Sequence, residues 1–384
     1  MARATTTSPL LAAFAGLLAL AVAIGVGRFV YTPILPLMVA ALGLSKFTAG
    51  LLASANYAGY LAGAFLAAGS LPGSRRAWLL LSLLASVLTT AMMGTTASVA
   101  LLLALRFVGG LASAFAFVFI STIVLELAVA AARPILPAVM YAGVGVGIVV
   151  SAALVSGLRG GGSPWSTLWF AAAALALAGT VAVATMAPSQ TAAIRRRGPA
   201  SGASHLTGPF CRLAAAYGLY GFGYVITATF LVALVRGNPA LHSIEPIIWI
   251  IFGLASIPSA ALWTLISRPL GAPRAFALAL LVEAAGVLAS VTWQTTAGVI
   301  LAAILVAGTF MGIVTLALVR ARRFARGDGR RELALMTATF GVGQIIGPAF
   351  AGALFDRLGS IAVPSWTAAG ALALAAIVAI KEDP

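Results

Sequence analysis

The stretch from Leu10 to Leu37, LLAAFAGLLALAVAIGVGRFVYTPILPL, runs for 28 residues with a single charged residue, Arg28. A membrane-spanning helix needs about 20 predominantly apolar residues, so this stretch can cross a bilayer. It is also too long for the apolar region of a secretory signal peptide, which covers about 7–15 residues. We therefore predict that it forms a first spanning helix with a cation inside the membrane.

The rest of the chain has the same character. Of its 384 residues, 62% are hydrophobic and 8% are charged, whereas about 25% of the residues of a soluble domain carry a charge. This composition predicts an all-α membrane protein with twelve transmembrane helices. The predicted spans are Leu10–Leu37, Thr48–Gly69, Trp78–Met93, Val99–Leu125, Ile135–Ser156, Trp165–Met186, Leu213–Val235, Pro246–Ile266, Ala275–Val291, Ala297–Val319, Leu333–Leu354 and Val363–Ile380.

The basic residues predict the orientation, because Lys and Arg collect in cytoplasmic loops. With a cytoplasmic N-terminus, the inner side receives seventeen of them: Arg3, Arg75, Arg76, Arg133, Arg195, Arg196, Arg197, Arg212, Arg268, Arg274, Arg320, Arg322, Arg323, Arg326, Arg330, Arg331 and Lys381. The outer side receives four: Lys46, Arg159, Arg236 and Arg357. Arg outnumbers Lys 21 to 2, which is typical of a GC-rich bacterial genome. We expect a multi-pass protein of the bacterial inner membrane with both termini cytoplasmic.

The residue inventory excludes several function classes. The net charge of +15 is spread over short loops and not grouped on one soluble face, so it does not indicate nucleic-acid binding. The single cysteine, Cys211, cannot form an intramolecular disulfide. Two loop histidines and eight acidic residues do not supply a catalytic cluster or a metal-binding set. We therefore predict a protein that is not an enzyme, without catalytic residues, metal or cofactor, and monomeric.

The chain divides into two halves that look duplicated. We predict an N-terminal six-helix bundle over residues 1–186, a cytoplasmic linker rich in Ser, Gly, Pro and Arg over 187–210, and a C-terminal six-helix bundle over 211–384. Three motifs recur at an offset of 196 or 198 residues: Gly25-Val26-Gly27 as Gly221-Phe222-Gly223, Met140 with Gly145 and Gly147 as Met336 with Gly341 and Gly343, and Arg76-Ala77 as Arg274-Ala275. Duplicated bundles in parallel topology are typical of secondary transporters whose site lies between the halves.

Four runs of sequence carry a resemblance to a known family. They are GVGRFVYTPILP at residues 25–36, LASANYAGYL at 52–61, YGFGY at 220–224 and GVGQIIGP at 341–348. Together they closely resemble the YbfB/YjiJ-like branch of the major facilitator superfamily, and the likeness covers essentially the whole chain. The RFVGG run at 106–110 also resembles the fourth-helix motif of that superfamily. The resemblance implies a transporter with the major facilitator fold, and it supplies no substrate.

The chain also departs from that pattern at two places. The loop GSLPGSRR at residues 69–76 keeps the basic residues of the superfamily but lacks its aspartate. The GVGVG run at 143–147 lacks the proline of the antiporter motif, so it does not support export. In the fold that the resemblance implies, the first, fourth, seventh and tenth helices line a central cavity, and the second, fifth, eighth and eleventh helices flank it.

Several polar side chains in these helices are candidates for binding a substrate. At 1.5 Å per residue, five of them lie roughly 10–16 Å below the outer helix ends: Arg28, Asn56, Arg106, Tyr224 and Gln344. A cation inside the membrane usually lines a cavity or has a partner, and guanidinium suits a carboxylate or phosphate. Tyr31, Tyr60 and Tyr220 complete the predicted substrate site. Arg106 is also a candidate for coupling, or for bracing helices.

The coupling mechanism and two alternative functions are left open by the sequence. Glu283 is the one carboxylate well inside a predicted span, and it is a candidate for proton coupling or for packing. Counter-anion exchange and facilitated diffusion are the alternatives. We predict a secondary active or facilitative carrier of a small anionic organic solute that works by alternating access. An efflux pump for lipophilic compounds and a non-transporting sensor on the same fold are the other hypotheses.

Overall fold

The structure, a computed structural model, describes residues 8–69, 71–133, 135–187, 207–324 and 330–380. Most of the predicted linker lies outside these residues, and so do Arg3, the Arg195–Arg197 run, Arg326 and Lys381. The predicted boundaries between the two halves at residues 187 and 210 therefore stay a prediction.

The protein is an all-α membrane protein with the predicted twelve-helix architecture in two bundles. The spans are Pro9–Leu42, Lys46–Ala67, Arg75–Met93, Val99–Ala130, Leu136–Gly160, Trp165–Met186, Gly208–Gly237, the pair Glu245–Ser256 and Ser259–Leu270, Ala272–Thr292, Thr296–Arg323, Arg330–Leu358 and Ala362–Ile380. Eleven are long and apolar enough to cross a membrane by composition alone. The second span, Lys46–Ala67, completes the twelve, and its Ser, Asn and Tyr residues make it less apolar.

The sequence predicts one continuous helix for the first span, but the structure shows an interrupted one. It turns into a π-helix over Ala21–Val26, and a turn over residues 27–30 separates this from the α-helix Tyr31–Leu42. The N–H groups of Gly27 and Phe29 reach back five residues, to Val22 and Ile24. Pro33 and Pro36 follow, and a proline disrupts the helical turn that precedes it. Wide turns of this kind often occur at functional sites, and this one carries Arg28.

The eighth span is also interrupted, at Ile257 and Pro258 between its two helical segments. The proline lacks the N–H that would continue the ladder of the preceding helix. This span lies against the fifth span of the other bundle, where the Cβ of an alanine at Gly145 would meet Ile257 at 2.7 Å. The interruption therefore lies at a contact between the two halves.

Glycines let helices within each bundle approach closely. An added Cβ at Gly59 would collide with the carbonyl of Phe107, and one at Gly143 with the carbonyl of Leu17. In the second half, Gly343 lies against the carbonyl of Gly218 in the same way. Close approach through small residues is a common basis of helix packing in membranes.

The two bundles contact each other at the ends that the basic residues predict to be external. The second and eleventh spans pack together, and so do the fifth and eighth. Asp356 accepts hydrogen bonds from the backbone N–H groups of Lys46 and Phe47 at 2.9 and 2.8 Å. Arg159 forms an ion pair with Glu245 at 2.5 Å. The helix ends at this side are therefore joined across the bundle interface.

Candidate functional site

A cavity of about 90 Å³ lies between the bundles. Its lining comes from the first, second, fourth, fifth, seventh, tenth and eleventh spans, which agrees with the helices expected from the family resemblance. It extends from Arg28, near the middle of the first span, to Leu318, five residues before the end of the tenth span at Arg323. The cavity thus occupies the half of the protein opposite the joined helix ends.

Arg28 is the single charged residue among the described residues that line this cavity. Its side chain is buried, and the guanidinium carbon lies 4.0 Å from the ring centroid of Tyr60 and 5.0 Å from that of Tyr57. Neither Nε nor Nη2 has a hydrogen-bond acceptor within the described part of the chain. These two atoms form one edge of the planar fork that binds carboxylates in a bidentate way.

Tyr224 and Gln344 form a polar pair on the opposite wall. The amide Nε2 of Gln344 donates a hydrogen bond to the Tyr224 hydroxyl, and both side chains are buried. The Oε1 atom of Gln344 has no donor among the residues that the structure describes. This pair and Arg28 come from different bundles, so the cavity presents polar groups from both halves.

The C-terminal wall of the cavity is strongly aromatic. Tyr217 and Phe340 stack with ring centroids 4.6 Å apart, and Tyr224 stacks on Phe310 at 5.1 Å. Phe310 comes from the tenth span and Phe340 from the eleventh. Phe310 and Phe340 were not among the site residues predicted from the sequence. One signal was present: Thr337, Phe340 and Gln344 follow helical spacing, and all three line the cavity.

Arg106 does not line the central cavity. Its Nε donates to the carbonyl of Leu52 at 3.2 Å, its Nη1 contacts the carbonyl of Gly27 at 3.5 Å, and its guanidinium lies 4.6 Å from the Tyr31 ring centroid. These contacts hold the first, second and fourth spans together. Arg106 and Asn56 line a separate small cavity within the N-terminal bundle. The arrangement favours the bracing alternative for Arg106.

Three other predicted site residues also pack away from the central cavity lining. Asn56 donates from Nδ2 to the carbonyl of Arg106 at 2.9 Å. The Tyr31 hydroxyl donates to the carbonyl of Ala49 at 2.7 Å, and the Tyr220 hydroxyl to that of Phe310 at 2.9 Å. Of the eight predicted binding residues, the structure brings Arg28, Tyr60, Tyr224 and Gln344 together at the cavity. The other four lie outside its lining.

Glu283 lies one layer behind the cavity wall, on the ninth span. It is fully buried, and its Oε2 accepts a hydrogen bond from the Thr309 hydroxyl at 3.1 Å. Its Oε1 has no donor within the described ranges. Thr309 directly precedes Phe310, which lines the cavity. The Glu283 carboxyl group therefore contacts a residue of the tenth span, Thr309, that is the immediate neighbour of a cavity-lining residue.

Comparison with known proteins gives the family. A family profile described as "Uncharacterised MFS-type transporter YbfB" matches residues 20–380, which is nearly the whole chain. The chain belongs to this family of the major facilitator superfamily. Membership confirms the resemblance found in the sequence and makes the protein a membrane transporter by family. No curated protein matches the chain.

Solved structures of other major facilitator transporters share the fold. A mutant of the nucleoside transporter NupG aligns with a TM-score of 0.74 at 14% identity, covering 98% of this chain and 100% of the other. A second NupG structure aligns with a TM-score of 0.71 at 15% identity over 97% and 98% of the two chains. The human organic anion transporter MFSD10 (TETRAN) aligns with a TM-score of 0.67 at 16% identity over 97% and 99%. At these identities the likeness concerns the fold.

Proposed function

We propose that this family member carries a small organic anion across the bacterial inner membrane by alternating access, and that Arg28 binds the anionic group. The observation that carries the proposal is the unpaired edge of Arg28 at the central cavity. Leaving a buried donor without an acceptor costs about 1–3 kcal/mol, and more for a charged group. A carboxylate that reaches Nε and Nη2 would remove this cost and neutralise the charge.

The surroundings of Arg28 support an anion more than a neutral or cationic solute. Tyr57 and Tyr60 hold the guanidinium by cation–π contacts, worth about 0.5–2 kcal/mol, which leave its in-plane donors free. Among the described lining residues there is no carboxylate to compensate its charge. A cationic solute would meet repulsion there, and a lipophilic neutral solute would leave the donors unpaired.

The remaining binding residues fall into two proposed roles. Tyr60, Tyr224 and Gln344 contact the solute from both bundles, so that binding spans the interface that must rock during transport. Tyr31, Asn56, Arg106 and Tyr220 keep the walls of the site in place through their backbone hydrogen bonds. The joined outer ends correspond to a state that is closed on the outside, with the cavity on the cytoplasmic side.

The proposal is tested by counterflow in proteoliposomes. Vesicles containing the purified protein are loaded with an unlabelled monocarboxylate, and uptake of the labelled compound is compared with uptake of its neutral amide. We expect transient accumulation of the carboxylate, absent from protein-free vesicles, and much less of the amide. Equal exchange of the amide would contradict the anionic class. Binding of the carboxylate without counterflow would favour the sensor alternative.

The similar solved folds do not choose between solutes. NupG is named a nucleoside transporter and MFSD10 an organic anion transporter, and both align over nearly their whole length. The same fold therefore serves solutes of different charge, and the choice rests on the side chains of the site. In this chain, the side chain that supports an anion is Arg28.

A further inference from the structure

The composition of the cavity wall indicates what the body of the solute looks like. Aromatic residues make up 9% of the chain, but they supply six of the fourteen residues that line the cavity. The six are Tyr60, Phe117, Tyr217, Tyr224, Phe310 and Phe340. The polar groups of the lining are few, and Arg28 is the one charge among its described residues. One end of a bound solute can therefore contact a cation, and the rest of the solute can pack against aromatic rings.

The rings of the C-terminal wall form an ordered, nearly parallel group. Tyr217 and Phe340 differ by 12° in ring plane, and Tyr224 and Phe340 by 4° with centroids 5.8 Å apart. Phe310 continues the group at 25° from Tyr224. Aromatic pairs prefer offset stacked or edge-on arrangements with centroids 4.5–7 Å apart. A flat ring that enters the cavity can extend this group at the same spacing.

Hydrogen bonds behind the wall hold these rings in position before any solute arrives. Tyr220 stacks on Tyr224 at 5.0 Å and is tied to the backbone of Phe310 by its hydroxyl. Tyr224 is fixed by the amide of Gln344. Ring surfaces that are ordered in advance lose little entropy on binding, so their stacking energy is available for affinity.

The opposite wall supplies the cation together with two further rings. Tyr60 lies 6.4 Å from Phe117 in an edge-on arrangement, and Arg28 lies over the face of Tyr60. A second negative charge on the solute would find no other basic residue in the described lining. A polyhydroxylated acid would find few partners beyond Thr337, Gln344 and the tyrosine hydroxyls.

We infer that the solute is an aromatic monocarboxylate, whose carboxylate binds Arg28 and whose ring packs against the aromatic group of the C-terminal bundle. This inference rests on the proposed function, because it specifies the anion that Arg28 binds. It excludes dicarboxylates, sugar acids and aliphatic acids as the preferred class.

The test is a binding titration of the full-length protein with matched pairs of acids. Benzoate and phenylacetate are compared with cyclohexanecarboxylate and cyclohexylacetate, which have the same charge and a similar size but no flat ring. From the extra energy of aromatic pairing, we expect the aromatic acids to bind about 2- to 12-fold more tightly. Benzamide, which keeps the ring and loses the charge, serves as the control for the anion.

Variants on the eleventh span connect the preference to the structure. Phe340→Leu removes a cavity ring and should reduce the aromatic preference, whereas Phe340→Tyr should keep it. Phe350→Leu is the matched control, because Phe350 packs on Phe222 and is not among the cavity-lining residues. A thermal melt of each variant shows whether it is folded.

The outcomes separate the inference from the proposed function. Equal affinity for aromatic and saturated acids in the wild type would overturn the aromatic class and leave the anion proposal standing. Equal affinity for benzamide and benzoate would overturn both, whereas a failure of all four acids to bind would overturn the aromatic monocarboxylate class alone. An unchanged aromatic preference in a folded Phe340→Leu variant would overturn the assignment of the ring group.

Discussion

The guanidinium carbon of Arg28 lies 4.0 Å from the ring centroid of Tyr60, and both side chains line the cavity between the bundles. The ring stabilises the cation from its face and leaves Nε and Nη2 without acceptors among the described residues. Arg28 is therefore held in place without being neutralised. Arg106, which the sequence places at a similar depth, is instead hydrogen-bonded to the backbone of two neighbouring spans.

The contact of Asp356 with the second span should help keep together the helix ends that the basic residues predict to be external. Its carboxylate accepts two N–H groups at the start of that span, where the helix dipole favours an anion. Loss of such a cap costs about 0.5–2 kcal/mol, so Asp356→Ala should shift the equilibrium toward outer opening about 2- to 30-fold. Distances between spin labels on the outer ends of the second and eleventh spans measure the shift. Arg357→Ala, which removes the adjacent exposed charge, is the control. An unchanged distance distribution in Asp356→Ala would contradict this role of Asp356.

The ion pair of Arg159 with Glu245 should also help keep the two bundles together, at the contact between the fifth and eighth spans. Both guanidinium Nη atoms lie within 2.8 Å of the Glu245 carboxylate, which is 5% exposed. Arg159→Ala leaves this carboxylate with Arg236 at 3.8 Å, at a cost of about 1–3 kcal/mol.

The same spin-label measurement, applied to the fifth and eighth spans, checks this effect. Because the cost comes from a buried charge that has lost its partner, the double variant with Glu245→Gln should open less than Arg159→Ala alone. A double variant that opens as much as, or more than, the single one would contradict this account.

The close approach of the first and fifth spans should make Gly25 intolerant of any side chain. A Cβ at Gly25 would lie 2.5 Å from the Cα of Gly147, and backbone atoms cannot move aside as a side chain can. Gly25→Ala should therefore lose about 1–3 kcal/mol of stability. Gly370→Ala is the control, because nothing lies within 4 Å of its Cβ and alanine favours a helix by about 0.5–1 kcal/mol. Thermal melts in detergent should rank Gly25→Ala well below the wild type, and equal melting of both variants would rule out the tight contact.

Glu283 should carry the coupling if transport is driven by protons. Glu283→Gln keeps a partner for the Thr309 hydroxyl but cannot exchange a proton. We expect this variant to retain counterflow and to lose the response of uptake to an imposed pH gradient. Glu126→Gln, at an exposed carboxylate paired with Arg75, should keep that response. A response that persists in Glu283→Gln would rule out Glu283 as the coupling group, and a wild type without any response would point to counter-anion exchange or facilitated diffusion.

The twelve spans could be predicted because hydropathy is a local property of the sequence. In the structure, the Thr32 hydroxyl donates to the carbonyl of Ala228, 196 residues further on. The motif offset found in the sequence is therefore the spacing of two residues that meet where the first and seventh spans touch.

The makeup of the site could be predicted only in part, because the rotation of each helix depends on its neighbours. Depth along the helix placed Arg28 and Arg106 in one layer, but Arg106 turns toward the second span and bonds to Leu52. The π-helix over Ala21–Val26 shifts the rotation of the residues that follow it, including Arg28. No periodicity of the apolar residues signals this turn. Phe310 was missed for the same reason, since an apolar ring in a spanning helix is indistinguishable from a packing residue by sequence.

The most direct test of the anion site is the affinity of Arg28 variants for the monocarboxylate that the wild type binds most tightly. Loss of a charge-assisted hydrogen-bonded pair costs about 1.5–3 kcal/mol, so Arg28→Ala should weaken binding about 10- to 150-fold. Arg28→Lys keeps the charge without the planar fork, so its affinity should lie between those of the wild type and Arg28→Ala. Each variant must melt like the wild type to count. If a folded Arg28→Ala protein bound and exchanged the carboxylate as the wild type does, Arg28 would not be the anion-binding group.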